Sequence, residues 1–488
     1  MAGKRRPVST RLIPFVYSFS FIRGRQVKRQ PSPTGRQKES IMTTAPSITN
    51  EPFGKLETTQ VYSADQVDAA ARELLAQLTL DEKIKMMSGD APFWPGMLDM
   101  MGGGYNEHVW VAGAVPRLGI PGVRFTDGPR GVILQGATTF PVSMARGASW
   151  DPDLEEKIGD VIGREMRALG ANHFGGICIN LMSHPAWGRA QETYGEDPQH
   201  LGEFGAALTR GVQKHVMACS KHYALNSMEN ARFSVDVTID MRTLHEIYLP
   251  HFKRTVDAGV ASVMSSYNSM NGEWCGQNKA LLTDILKDEM GFEGFVLTDF
   301  IFGMRDSKKA ALAGQDLEMP FAMIHNRDLK ALVEAGEVPM ERIDDAALRL
   351  LKQQIRFATG HNPQDYGPEV VGCEAHRTLA REAAVKSIVL LKNEGNLLPL
   401  KDVKRLAVIG KLAAKPNTGD GGSSNTRPAY VITPLEGLRE ALGPDVIIAY
   451  DDGSDPARAA QVAQGAEAVV LVVGYTDKDE GEYIAPDM

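Results

Sequence analysis

The chain has 488 residues, 43% of them hydrophobic and 23% charged, with a formal charge of −8. That length exceeds one ordinary domain, and the balance is that of a folded globular protein rather than a disordered one. No apolar run approaches the roughly 20 residues needed to cross a bilayer, and the body beyond residue 41 carries about −17, which repels phosphate backbones and argues against nucleic acid as the main partner.

The first 41 residues differ from the rest, with ten basic side chains against a single acid, Glu39. Residues 12–22 form a short apolar stretch between basic flanks, but Arg23-Gly24-Arg25 follows and no small-x-small cleavage site is present. The segment, counted with its lead-in as residues 1–63, reads as a disordered extension or as the product of an upstream start codon, with the natural start at Met42. A targeting role is the alternative. A cytoplasmic location is expected, with secretion the alternative. Cys178, Cys219, Cys275 and Cys373 lack CxxC or Cys/His ligand spacing and read as reduced core residues.

From residue 64 the apolar positions Val67, Ala70, Ala71, Leu74, Leu75 and Leu78 recur at helical steps. Short β-branched or apolar runs at 123–125, 177–181, 218–220, 262–265 and 295–298 then alternate with amphipathic helices such as 152–169 and 201–214. Strands alternating with helices over nearly 290 residues predict a parallel α/β architecture, and the length suits a (β/α)8 TIM-like barrel over 64–357. Asp127, Lys221-His222, Tyr267 and Asp299 fall at or just after strand ends, on the rim where barrel enzymes gather their chemistry. A doubly wound sheet would also gather ligands at strand ends.

A polar linker at 358–375 leads to a second α/β domain, 376–488. It opens on a helix near 375–384 and the apolar run 387–391, which reads as a first strand. Buried parallel strands are expected at 406–410, 446–450 and 468–474, with a helix at 457–466. So few strands leave apolar edges and faces uncovered, and this sandwich domain reads as incomplete.

Two boxes suggest chemistry. Residues 291–300 run an apolar strand into Asp299, which delivers one carboxylate to a pocket rim; a helix N-cap aspartate is the bland alternative. Residues 186–198 crowd Arg189, Gln191, Glu192, Glu196 and Asp197 between Trp187 and Pro198. A cation among acids is a sugar-binding arrangement, and a salt-bridged surface loop is the alternative. The run Gly419-Asp420-Gly421-Gly422-Ser423-Ser424 lacks the lysine of a phosphate-binding loop.

The boxes gain meaning in order with Thr126-Asp127-Gly128-Pro129-Arg130-Gly131, Lys221-His222-Tyr223, Glu229-Asn230-Ala231-Arg232, Met264-Ser265-Ser266-Tyr267-Asn268 and Gly314-Gln315-Asp316-Leu317-Glu318. Together they resemble glycoside hydrolase family 3 over about residues 64 to 488. The resemblance implies a barrel followed by an α/β sandwich domain, and a retaining exo-acting β-glycosidase of β-glucosidase type. It implies Asp299 as the nucleophile and Asp127 as the acid that clamps the sugar's 4- and 6-hydroxyls. Arg189, Lys221, His222 and Arg232 would surround the remaining hydroxyls and the nucleophile, Met264 and Tyr267 would line the pocket, and Ser423 would touch the sugar. Lys221 and Arg232 near Asp299 would favour its ionised form.

Retaining hydrolysis needs a second carboxyl group about 5–5.5 Å from the first. In two-domain members of the family it comes from the second domain. Here the matching run is Asp479-Glu480-Gly481-Glu482-Tyr483, with Glu480, before a glycine, the acid/base candidate and Glu482 the reserve. Two departures stand out: Phe300 where the family usually has Trp, and Ser183 where Arg is common.

No metal or organic cofactor is implied. The expected partner is a β-linked glucoside or oligosaccharide, with neither nucleic acid nor membrane and with a homo-oligomer left open. β-Xylosidase or α-arabinofuranosidase specificity is the alternative within the family, since Asp127 does not by itself demand a 6-hydroxyl. The N-acetylglucosaminidase branch is disfavoured, because Tyr223-Ala224-Leu225-Asn226 follows Lys221-His222. A catalytically inactive, truncated carbohydrate-binding protein is the alternative from another class.

Overall fold

A computed structural model describes residues 52–418 and 422–482, so the expectations for residues 1–51 lie outside it. Eight short strands stand in one ring: β1 Ala91–Pro92, β2 Trp110–Ala112, β3 Val123–Thr126, β4 His173–Cys178, β5 Met217–Tyr223, β6 Ser262–Ser265, β7 Phe295–Thr298 and β8 Phe321–Ala322. The order β7-β6-β5-β4-β3-β2 is a continuous curled sheet, parallel except for β2. β1 pairs with β8 in parallel, and single bridges at Leu297–Leu317, Ser88–Glu318 and Gly89–Ala112 close the ring. The fold is therefore a TIM-like α/β barrel with one reversed stave. Only ten residues separate β2 from β3, too few for the crossover that a parallel pair requires.

The strand expected at 177–181 lies instead at His173–Cys178, with a register shift between Phe174 and Ile177. Its glycines are the reason. A Cβ at Gly175 would stand 2.3 Å from the Phe125 ring, so the position requires a residue that sequence pattern counts against a strand.

Side chains alternate between two cores. Phe174, Ala218, Val263 and Val296 face outward and pack with Ile158, Ile162, Leu201, Leu208 and Phe252 of the helices Pro152–Ala168, Pro198–Val212 and Pro250–Asp257. Phe125, Met217, Cys219, Met264, Phe295 and Leu297 belong to the other cluster, inside the barrel. Two of the helices begin at Asp-Pro steps. Asp151 and Asp197 each accept a hydrogen bond from a first-turn N–H, while the proline removes a donor that has no partner there.

Beyond the barrel, the helix Glu374–Lys386 is fastened through Glu165, which accepts from Thr138 N and Oγ1 at 2.7 Å, from Gly372 N at 2.8 Å and from His376 Nδ1 at 2.8 Å. Next come β9 Arg405–Ile409, β10 Ile447–Asp451 and β11 Ala468–Leu471, a parallel sheet in the order β10-β9-β11. Burial was expected for all three strands, but only the central β9 is buried along most of its length. An edge strand has a neighbour on one side only and is less covered, and because successive side chains point to opposite faces, β10 and β11 alternate in exposure. The apolar run 387–391 forms no strand, and Ile388 and Leu391 are exposed.

A buried ion pair braces the first half of the barrel. Arg146 Nε lies 2.9 Å from Glu155 Oε2, and Tyr194 donates to Glu155 Oε1 at 2.7 Å, with neither charged side chain reaching solvent. Glu155→Ala strands the guanidinium, and we expect a loss of about 3–5 kcal/mol in unfolding free energy. Urea denaturation measures it; a loss below about 1 kcal/mol, the scale of a surface pair, would contradict this reading.

Candidate active site

The two-residue period that builds the inner core also aims its polar extensions. Asp127 follows Phe125 on β3, Lys221 follows Cys219 on β5, and Asp299 follows Leu297 on β7, each on the inward face and each at the C-terminal end. β5 carries one extra residue against β6 between Ser220 and Tyr223. That bulge brings consecutive residues to the same site: Lys221 Nζ reaches Asp127 Oδ1 at 2.6 Å, and His222 Nε2 stands 3.7 Å from Asp299 Oδ2.

Asp299 is held but not neutralised by direct contact. Its N–H donates to Ser265 O at 3.1 Å and its Oδ1 accepts from Phe300 N at 2.8 Å. Its Oδ2 is buried and accepts no hydrogen bond among the described residues. Burial pushes the carboxyl pKa up to about 6, against the pull of Arg189, Arg232 and Lys221, with the charge of Glu482 adding to the rise. His222 does not supply a cation here. Asn180 Oδ1 accepts from the His222 backbone N–H at 2.8 Å, so the same oxygen accepts from Nδ1 at 2.9 Å and leaves Nε2 as an acceptor. Burial and the nearby Arg189, Lys221 and Arg232 pull the imidazole pKa well below its ordinary value.

Two arginines join the barrel to the second domain. Arg189 is bidentate to Glu192, at 3.0 and 2.8 Å, and donates to Ser423 Oγ at 3.2 Å. Arg232 Nη1 lies 3.2 Å from Glu229 Oε2 and 3.0 Å from Glu482 Oε1, while its guanidinium stacks over Tyr267. Glu482 also accepts from Ser423 N at 2.9 Å and stands 3.7 Å from Arg189 Nη1. Burial opposes its charge, but Arg189, Arg232, the Ser423 N–H and Lys221 hold it ionised well below the ordinary glutamate range. Glu229 takes a hydrogen bond from Trp187 Nε1 at 3.2 Å, and burial pushes its pKa up to about 7 despite Arg232 and Arg189.

The expected residues thus meet, with differences in detail. Asp127 pairs with Lys221, His222 faces Asp299, and Arg189, Ser423, Arg232 and Tyr267 are joined through Glu482, with Arg189, Arg232 and Lys221 acting on the Asp299 charge. Met264 lies deeper, in the cluster inside the barrel. Glu482 is the acid that enters the network, while Glu480 lies on the preceding turn, its N–H donating to Thr476 O at 3.2 Å. Tyr105, whose hydroxyl donates to Asp127 Oδ2, was not anticipated, nor was the role of Glu229 in holding Arg232. The glycine run 102–104 ahead of Tyr105 marks a loop but gives no sign of its destination. Among the described residues no cluster of His, Cys, Asp and Glu is arranged to hold a metal ion.

Residues 105–353 match the Glycosyl hydrolase family 3 N terminal domain, and residues 388–487 match the Glycosyl hydrolase family 3 C-terminal domain. The chain belongs to glycosyl hydrolase family 3. This family 3 chain is 34% identical over 437 residues to thermostable β-glucosidase B of Acetivibrio thermocellus, covering 84% of itself and 55% of that protein. It is also 34% identical over 480 residues to a β-xylosidase of Formosa agariphila, covering 87% of itself and 63% of that protein. Among solved structures it is similar to β-glucosidase 3B from Thermotoga neapolitana in complex with glycerol, with a TM-score of 0.72 and 28% identity over 84% of this chain and 63% of that one. The chain therefore spans less than two thirds of the length of each of these relatives. In this family 3 site, the Phe300 that replaces the usual Trp packs its ring against Phe125, 5.0 Å between centroids, and edge-on to Tyr105.

A raised carboxyl pKa carries a stability cost with a definite sign. Asp299 ionises near pH 4 when unfolded and near 6 when folded, so its burial penalises the fold increasingly across that interval and fully above it. Asp299→Asn removes the penalty. We expect unfolding free energy at pH 7 to rise by about 2–3 kcal/mol, and the gain to vanish as pH falls to about 4. Denaturant titrations at both pH values test this, and a greater gain at pH 4 than at pH 7 would contradict it.

Proposed function

We propose that this protein is a retaining exo-acting β-glycosidase of β-glucosidase type. The observation that carries the reading is Asp299 itself: a buried carboxylate at the end of a barrel stave, with Oδ2 unpartnered among the described residues and three cations around it. In the proposed reaction Asp299 Oδ2 attacks the anomeric carbon as the bond to the leaving oxygen breaks, forming a covalent glycosyl-enzyme. Glu482 gives a proton to the leaving oxygen, then accepts one from the water that releases the sugar. In the free site Arg189 and Arg232 hold Glu482 as the anion. That is its form for the second step, so it takes up a proton as the sugar draws the arginines toward its hydroxyls. Neutral His222 Nε2 and Asp299 Oδ2 are two acceptors 3.7 Å apart, a pairing suited to a sugar hydroxyl donating between them.

The relatives named β-glucosidase support glucose as the sugar; the β-xylosidase of Formosa agariphila favours xylose as a second reading. Proton NMR of the first-formed sugar tests the stereochemistry: we expect the β-anomer, and initial α-anomer would rule out the double displacement. Glu482→Ala should cripple cellobiose hydrolysis yet largely spare glycosylation by a dinitrophenyl glucoside, with azide rescuing turnover as a β-glucosyl azide. If Glu480→Ala behaves that way instead, Glu482 is not the acid/base.

A further inference from the structure

Tyr105 occupies a place in the pocket that the catalytic proposal leaves unused. The turn Gly104–Asn106 follows the helix Phe93–Met101, which leaves the C-terminal end of β1. It is fastened at three points: Trp110 Nε1 donates to Tyr105 O at 3.4 Å, Asn106 Nδ2 donates to Asn425 O at 3.1 Å, and Glu107 pairs with Arg427 Nη1 at 3.2 Å. The Tyr105 ring meets Phe300 edge-on, 6.0 Å between centroids. Its hydroxyl donates to Asp127 Oδ2, while Oδ1 accepts from Lys221. Burial and the Asp127 charge raise the phenol pKa well above its ordinary value, so the hydroxyl keeps its proton.

A carboxylate only accepts, with about two lone-pair directions on each oxygen. Each Asp127 oxygen therefore retains one direction for a sugar hydroxyl. A hydroxyl that donates to Oδ2 still has an oxygen in need of a donor, and the single O–H of Tyr105, displaced from Oδ2 by that hydroxyl, can turn to it. On the Oδ1 side, Lys221 and Arg189 suit the ring's secondary hydroxyls. On the Oδ2 side stands Tyr105, its ring meeting Phe300 edge-on, an aromatic neighbourhood that suits a CH2 bearing one hydroxyl.

Given the glycosidase reading of the site, we propose that Tyr105 is a specificity-determining residue that pairs with the 6-hydroxyl of a hexopyranoside and so selects glucosides over xylosides. The test compares kcat/KM of wild type and Tyr105→Phe on the 4-nitrophenyl β-glucoside, 6-deoxy-β-glucoside and β-xyloside. Loss of one donor beside a charged group should cost roughly ten- to a hundredfold on the glucoside, and less than about threefold on the two substrates that lack the hydroxyl. Equal losses on all three would overturn the proposal and leave Tyr105 as a support for Asp127. Should the variant fold poorly, the wild type still tests the premise that the 6-hydroxyl is bound: glucose should inhibit about tenfold more tightly than 6-deoxyglucose, and equal inhibition would overturn the proposal. A wild type that cleaves none of the glycosides and binds neither sugar overturns the glycosidase reading as well, a result distinct from equal losses.

Discussion

A carboxylate taken out of water at the end of a barrel stave has to be balanced where it sits, and the surroundings of Asp299 are arranged around that demand. Burial alone would keep the group protonated; Arg189, Arg232 and Lys221 restrain its pKa to about 6. These cations are buried too and need anions of their own: Glu192 for Arg189, Glu229 and Glu482 for Arg232, Asp127 for Lys221. Each of those anions is placed by a different element, so one buried charge ties several strand ends and loops together. Removing any partner leaves another ion without compensation, which costs far more than losing a surface pair.

The same demand reaches across to the second domain. Ser423 and Glu482 meet Arg189 and Arg232, and Ser424 accepts from Gln191 at 2.9 Å. Close backbone approach makes this contact feasible. A Cβ at Gly188 would stand 2.3 Å from Gly481 O, and one at Gly422 would stand 2.7 Å from Glu482 Oε2. Both positions need the absence of a side chain, whatever their backbone angles. Asn106 and Asn425 extend the contact to the turn that carries Tyr105, so the Tyr105 and Glu482 ends of the pocket share one docked loop.

The meeting of Asp127, Lys221 and Asp299 was legible because it rests on local facts: apolar strands with a two-residue period and a polar residue at each C-terminal end. Features that depend on contacts distant in sequence were less so. The glycines of β4 disguised a strand whose form is set by the Phe125 ring, and the reversed β2 follows from a connection length that needed both strand boundaries. Glu480 and Glu482 differ by two residues; which one enters the site depends on the path of a backbone that also carries Gly481 against Gly188. Tyr105 had no motif at all, since its role comes from a turn folding back over Asp127. The run 387–391 has the composition of a strand, but composition cannot report whether a run pairs with a neighbour.

In the proposed reaction everything turns on Asp299 becoming covalently bound to the sugar. Its most direct test is trapping with a 2-deoxy-2-fluoro-β-glucoside bearing a dinitrophenyl leaving group, followed by proteolysis and mass spectrometry. We expect one added fluoroglucosyl group, on the peptide containing Asp299, and no labelling of Asp299→Asn. Label on any other residue, or undiminished labelling of Asp299→Asn, would contradict it.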